Sequence, residues 1–116
     1  MIENRREFFR VSFEQSIGGE ILTEDGNSWS IDIDDISVKG LKFLAAQDLP
    51  MDKKIKAVFA ISEQNFLVEG SIVRKEGQTH WFEYGVAFAL DQAMASLLFK
   101  ELNFYQIRQK KGQHVD

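Results

Sequence analysis

Hydrophobic and polar residues alternate along most of this chain, with the two-residue period of a β-strand that buries one face. The alternation sets in at Val11-Ser12-Phe13, and Gly18-Gly19 predicts a bend or bulge ahead of Glu20-Ile21-Leu22-Thr23. Asp25-Gly26-Asn27 is a hairpin-turn sequence, because Gly and Asn tolerate the left-handed backbone that tight turns require. The return strand, 28–36, turns Trp29, Ile31 and Ile33 inward and Ser30, Asp32 and Asp34 outward. Further strands are expected over Gly40–Ala45, Lys54–Ile61, 66–74 and 80–90, separated by the turn-rich Pro50-Met51-Asp52, Glu63-Gln64-Asn65 and Glu76-Gly77-Gln78.

The period changes after Asp91, a good N-cap. Met94, Leu98, Leu102 and Tyr105 then recur at helical spacing with Leu97 beside them, and Arg108, Lys110 and Lys111 stand where cations favour a helix C-terminus. Six or seven short strands without βαβ spacing, followed by one amphipathic helix, predict a mainly β fold. The expected form is an antiparallel β-barrel with a C-terminal α-helix over one opening or side. Residues 1–10 read as a flexible polar arm, 11–90 as the barrel and 91–110 as the helix, in a single domain with no linker or repeat. Trp81 and the Phe-rich strands read as core.

Composition narrows the function classes. The chain has no cysteine, which removes disulfides, thiolate metal sites and cysteine nucleophiles and suits a reducing cytoplasm. The longest apolar runs, such as 57–61, fall far short of the roughly 20 residues of a membrane-spanning helix. The opening residues carry Glu3, Arg5, Arg6, Glu7 and Arg10 and no apolar leader. A cytoplasmic protein without membrane insertion is the expectation. A net charge of −4 opposes binding to a nucleic-acid polymer. Against that acidic background, Arg5, Arg6 and Arg10 form a local cationic cluster suited to a small dianion.

Two short motifs follow one another: R-x-x-x-R at Arg6-Glu7-Phe8-Phe9-Arg10, preceded by Arg5, and D-x-S-x-x-G at Asp35-Ile36-Ser37-Val38-Lys39-Gly40. Alone, the first is a solvated charge run and the second ordinary turn chemistry. They lie, however, at the start of one predicted hairpin strand and the end of the next, so antiparallel pairing brings them together. The acidic group Asp32, Asp34 and Asp35 fails as a calcium loop, since the sixth and twelfth positions from Asp32 are Ser37 and Phe43 rather than Gly and Glu. His80 and His114 are the only histidines, and no catalytic triad, metal-ligand spacing or phosphate loop is present, so a non-enzyme is expected.

The motif pair resembles the signature of the PilZ family, receptor domains for the second messenger cyclic di-GMP. The likeness extends to the late strand Trp81-Phe82-Glu83-Tyr84-Gly85-Val86-Ala87-Phe88 and to the terminal helix. The resemblance implies a non-catalytic cyclic di-GMP receptor, with Arg6 and Arg10 on phosphate and guanine. Arginine forks suit both groups. Asp35 would accept from guanine N–H donors, Ser37 would donate to a phosphate oxygen, and Gly40 would allow close backbone approach. Arg74 is a further candidate. Arg5 is either a spare surface charge or a stacking partner for a second, intercalated ligand molecule. Phe8 and Phe9 either anchor the arm or stack on bases. With few residues ahead of the first motif, the signal is expected to leave through a downstream protein partner, in motility, biofilm or exopolysaccharide control. The rival readings are a ligand-independent PilZ-type adaptor and a small barrel that binds single-stranded RNA.

Overall fold

The computed structural model describes residues 10–114, with side chains to 109. Each predicted apolar face finds a partner by curling into one sheet. The elements are β1 (Arg10–Thr23), β2 (Ser28–Ser37), β3 (Gly40–Ala45), β4 (Lys54–Ile61), β5 (Gln64–Gly77), β6 (Phe82–Phe88) and α1 (Gln92–His114). All pairings are antiparallel, and the sheet closes as a barrel in the order β1-β2-β3-β6-β5-β4. Closure removes the exposed strand edges that an open sheet of this size would present. Inward residues such as Val11, Ile21, Ile33, Ile36, Phe43, Phe59, Ile72 and Tyr84 fill the interior.

The β1–β2 turn forms at the expected place, with Gly26 at φ +92°. Asp25 braces it, accepting from the Thr23 hydroxyl and the Asn27 backbone N–H, contacts that hold its carboxyl below the usual range. Gly18 and Gly19, by contrast, pair in regular register, and the irregularity of β1 lies between Ser12 and Ile17. Gly19 serves a different need: a Cβ there would sit 2.8 Å from the Val58 carbonyl oxygen and 2.9 Å from Ile33 Cδ1. The β4–β5 turn is also tighter than expected. Ile61 pairs with Gln64, so Gln64 and Asn65 belong to β5, and Ser62 takes a left-handed conformation at φ 57°.

Asp91 caps α1, its carboxylate accepting from the Met94 N–H at 2.8 Å. Leu98 and Leu102 are fully buried against the barrel, and Tyr105 meets Phe13 edge to face at 5.2 Å. The helix runs on to His114, past the expected end at 110. Near its C-terminal end Arg108 donates to the Ser62 hydroxyl, tying the helix to the β4–β5 turn. Trp81 departs from its expected core position: it lies ahead of β6 and is 39% exposed.

Tyr84 is the polar anchor of the interior. Its ring stacks on Phe43 with centroids 4.9 Å apart, while its hydroxyl donates to the Gln47 carbonyl and accepts from the Leu49 N–H at 2.7 Å. Those two bonds fasten the β3–β4 connection to β6. Tyr84→Phe leaves the Leu49 N–H unsatisfied inside the protein and is expected to cost about 1–3 kcal/mol. Urea unfolding of the variant against wild type measures that loss, and an unchanged midpoint would remove Tyr84 as the anchor.

Candidate functional site

Strict alternation continued from Ile31 and Ile33 would aim Asp35 into the barrel. It does not, because the β2–β3 register slips by one residue: Ile33 faces Phe43, whereas Asp35 faces Lys42, with Asp34 as the extra residue. Ile33 and Ile36 are both fully buried as a result, and Asp35 turns to the outer wall. β5 repeats the device. Ile72 faces Val86 and Arg74 faces Gly85, leaving Val73 as the extra residue and 49% exposed.

These slips align two rows of outward positions across five strands. One runs Ser12–Asp35–Lys42–Gly85–Arg74, and the other Arg10–Ser37–Gly40–Ala87–Ser71. With neighbouring strands about 4.8 Å apart, each row spans roughly 19 Å of wall. The rows border a cleft of about 390 Å³ lined by Arg10, Asp35, Gly40, Lys42, Arg74 and Gly85, among others. A second cleft, about 430 Å³, lies by Thr23, Trp29, Asp48 and Lys53. It is slightly larger, but none of the candidate ligand-binding residues read from the sequence lines it.

At the site the Arg10 guanidinium donates through Nη1 to Asp35 Oδ1. The Asp35 side chain is only 11% exposed and that of Arg10 48%, so a held carboxylate faces a half-solvated fork. Such a pair contributes about 1 kcal/mol or less to stability, which makes positioning its larger role. Lys42 Nζ approaches the other Asp35 oxygen at 3.8 Å and Glu83 Oε2 at 3.2 Å. Ser37 is fully buried, and its Oγ accepts from the Lys39 N–H at 3.1 Å, forming the turn into β3. A Cβ at Gly40 would lie 1.9 Å from the Val86 carbonyl oxygen, so glycine here is a condition for β3 to lie against β6.

Of the sequence-predicted residues, Arg10, Asp35, Gly40 and Arg74 thus meet around one cleft, and Ser37 shapes the turn beneath it. Arg5 and Arg6 lie outside the described residues. Sequence reasoning missed Lys42 and Gly85. Lys42 was within reach, since it lies two residues beyond Gly40 on the same strand face; Gly85 acquires meaning only from its register with Arg74. Among the described residues no group of three or more His, Cys, Asp or Glu side chains is placed to hold a metal ion. No helix among them is long and apolar enough to cross a membrane. Chemically, the cleft offers cations for phosphate and a carboxylate acceptor for the N–H edge of a base.

No curated protein matches the chain. Among solved structures, the PilZ domain with c-di-GMP of YcgR from Escherichia coli superposes with a TM-score of 0.75 at 14% identity, covering 97% of this chain and 100% of that one. The K. pneumonia MrkH–c-di-GMP complex gives 0.75 at 17% identity, covering 97% of this chain and 57% of that one. The Bacillus subtilis inhibitor of motility MotI/DgrA gives 0.74 at 12% identity, covering 97% and 55%. The chain therefore spans little more than half of MrkH and MotI, and at these identities the likeness is one of fold. The family model described as PilZ domain matches residues 4–103, most of the chain and both motifs. With its six-stranded closed barrel and C-terminal helix, the chain belongs to the PilZ domain family.

Proposed function

We propose that this PilZ domain is a non-catalytic receptor for cyclic di-GMP, seated in the cleft on the outer barrel wall. The observation that carries this reading is the meeting of Arg10 and Asp35, one from each motif, at the edge of a cleft that also holds Arg74. The YcgR PilZ domain and MrkH, both solved with c-di-GMP, support the same ligand class. Arg6 and Arg10 take the phosphates and the guanine O6/N7 edge, for which planar forks are suited. Asp35 accepts from the guanine N1–H and N2–H₂ donors, and Arg74 contributes from β5. Ser37 acts through the turn it braces, with its hydroxyl available to a phosphate oxygen once the ligand is bound. Arg5 stacks on an additional guanine, so that an intercalated pair of ligand molecules is accommodated.

Binding changes conformation by drawing the arginines at the N-terminal end onto the barrel wall, and the altered surface is read by a protein partner in the cytoplasm. Control of motility is the process that the name of the Bacillus relative supports; biofilm and exopolysaccharide control are the other outputs in keeping with a cyclic di-GMP receptor.

Isothermal titration with cyclic di-GMP, with GTP and cyclic di-AMP as controls, tests the reading. Saturable, guanine-selective binding is expected, with two ligands per chain if Arg5 stacks. A flat titration with no thermal stabilisation would favour a ligand-independent adaptor instead. Arg6→Ala or Arg10→Ala is expected to cost about 2–5 kcal/mol of binding, as for truncation of one side of a desolvated charge pair. Asp35→Ala is expected to cost about 1–3 kcal/mol and to relax guanine selectivity, because base reading is lost while the phosphate contacts stay. Wild-type affinity in all three variants would move the site elsewhere.

A further inference from the structure

We infer that Lys42, together with Arg74 across Gly85, forms a phosphate subsite separate from the motif arginines; this rests on the receptor reading above. The placement follows from the sheet register. Lys42 pairs with Gly85 and Gly85 with Arg74, so two cationic residues flank a position that has no side chain. Their backbones are two strand spacings apart, about 10 Å, and both line the same cleft. A Cβ added at Gly85 would come within 3.2 Å of Arg74 Cβ and 3.7 Å of its Nε. The Arg74 side chain thus leans over Gly85, towards the strand that carries Lys42. Glycine keeps the floor between the two cations low enough for an anion to enter.

Lys42 is held for this task. Its ammonium is anchored by Glu83 at 3.2 Å and drawn less closely to Asp35 at 3.8 Å, with 34% of the side chain exposed. The two carboxylates offset the repulsion among Arg10, Lys42 and Arg74 in a protein that carries −4 overall. When the N–H edge of a base occupies Asp35, the looser contact is the one released. The ammonium then stays on Glu83 with donors directed to a phosphodiester oxygen, and an ammonium binds phosphate as a compact point charge. Arg10 and Asp35 would therefore fix one guanine, while Lys42 and Arg74 would fix the phosphate on the β6 side of the cleft. Lys42 is a charge contact in this scheme and takes no part in choosing the base.

The test is titration of the full chain with cyclic di-GMP at low and high salt, comparing wild type, Lys42→Met and Lys42→Arg, with cyclic di-AMP as the selectivity control. Lys42→Met is expected to weaken binding about tenfold at low salt, the lower end for a charge-assisted hydrogen bond. The gap should narrow at high salt, where the Debye length shrinks to a few ångströms, and guanine selectivity should be unchanged. Lys42→Arg should restore affinity to within about threefold, because it returns the positive charge. If wild type binds and Lys42→Met binds equally well, the subsite is wrong and the receptor reading stands. The subsite is equally wrong if Lys42→Met loses affinity by the same factor at every salt concentration and Lys42→Arg does not rescue it, which marks a purely structural role. If wild type itself does not bind, both readings fall together.

Discussion

A strand must alternate its side chains between two faces, and the site of this protein depends on two places where that alternation is interrupted. Asp34 in β2 and Val73 in β5 are each an extra residue against the neighbouring strand. Without the first, Asp35 would face the interior and Ile36 the solvent, burying an unpaired carboxylate at a cost of several kcal/mol. Without the second, Arg74 would turn inward. The first slip brings Ile36 into the core, and both put a charged residue on the wall within two positions of a buried isoleucine. Packing and function thus impose the same register, because an incorrect one would fail on both faces at once.

Two glycines extend this logic across the barrel. Gly40 allows β3 to approach the Val86 carbonyl, and Gly85 leaves room for the Arg74 side chain to lean over β6. Both lie on the outer wall, where a side chain would normally be harmless. The cleft is therefore formed as much by missing side chains as by charged ones, and its walls are strands rather than loops, which fixes the spacing of the cations.

The electrostatics follow a pattern of compensation. The protein is acidic, yet the cleft gathers Arg10, Lys42 and Arg74 around Asp35 and Glu83. Each cation with an ion pair here uses a carboxylate already fastened to the sheet, so the free site is ordered without strong net repulsion. Cations held in place in this way leave fewer side chains to be ordered when an anion is bound, which lowers the ordering cost of binding. The partly solvated pair Arg10–Asp35 adds little stability but ties the start of β1 to the end of β2.

Much of this was readable from the chain itself. Alternating Val, Ile and Phe positions, the Asp25-Gly26-Asn27 turn and the Asp91 cap are local signals, each carried by neighbouring residues and by backbone preferences that act within a few positions. The antiparallel hairpin was enough to bring Arg10 to Asp35, since pairing of β1 with β2 follows from the turn between them. The bulges at Asp34 and Val73, the regular pairing of Gly18-Gly19, the exposure of Trp81 and the place of Gly85 beside Arg74 were not readable. These depend on how each strand fits its second neighbour, through pairings distant in sequence such as β3 with β6 and β1 with β4. Which residue yields when two registers must agree is decided only when the barrel closes and every strand has two neighbours to satisfy.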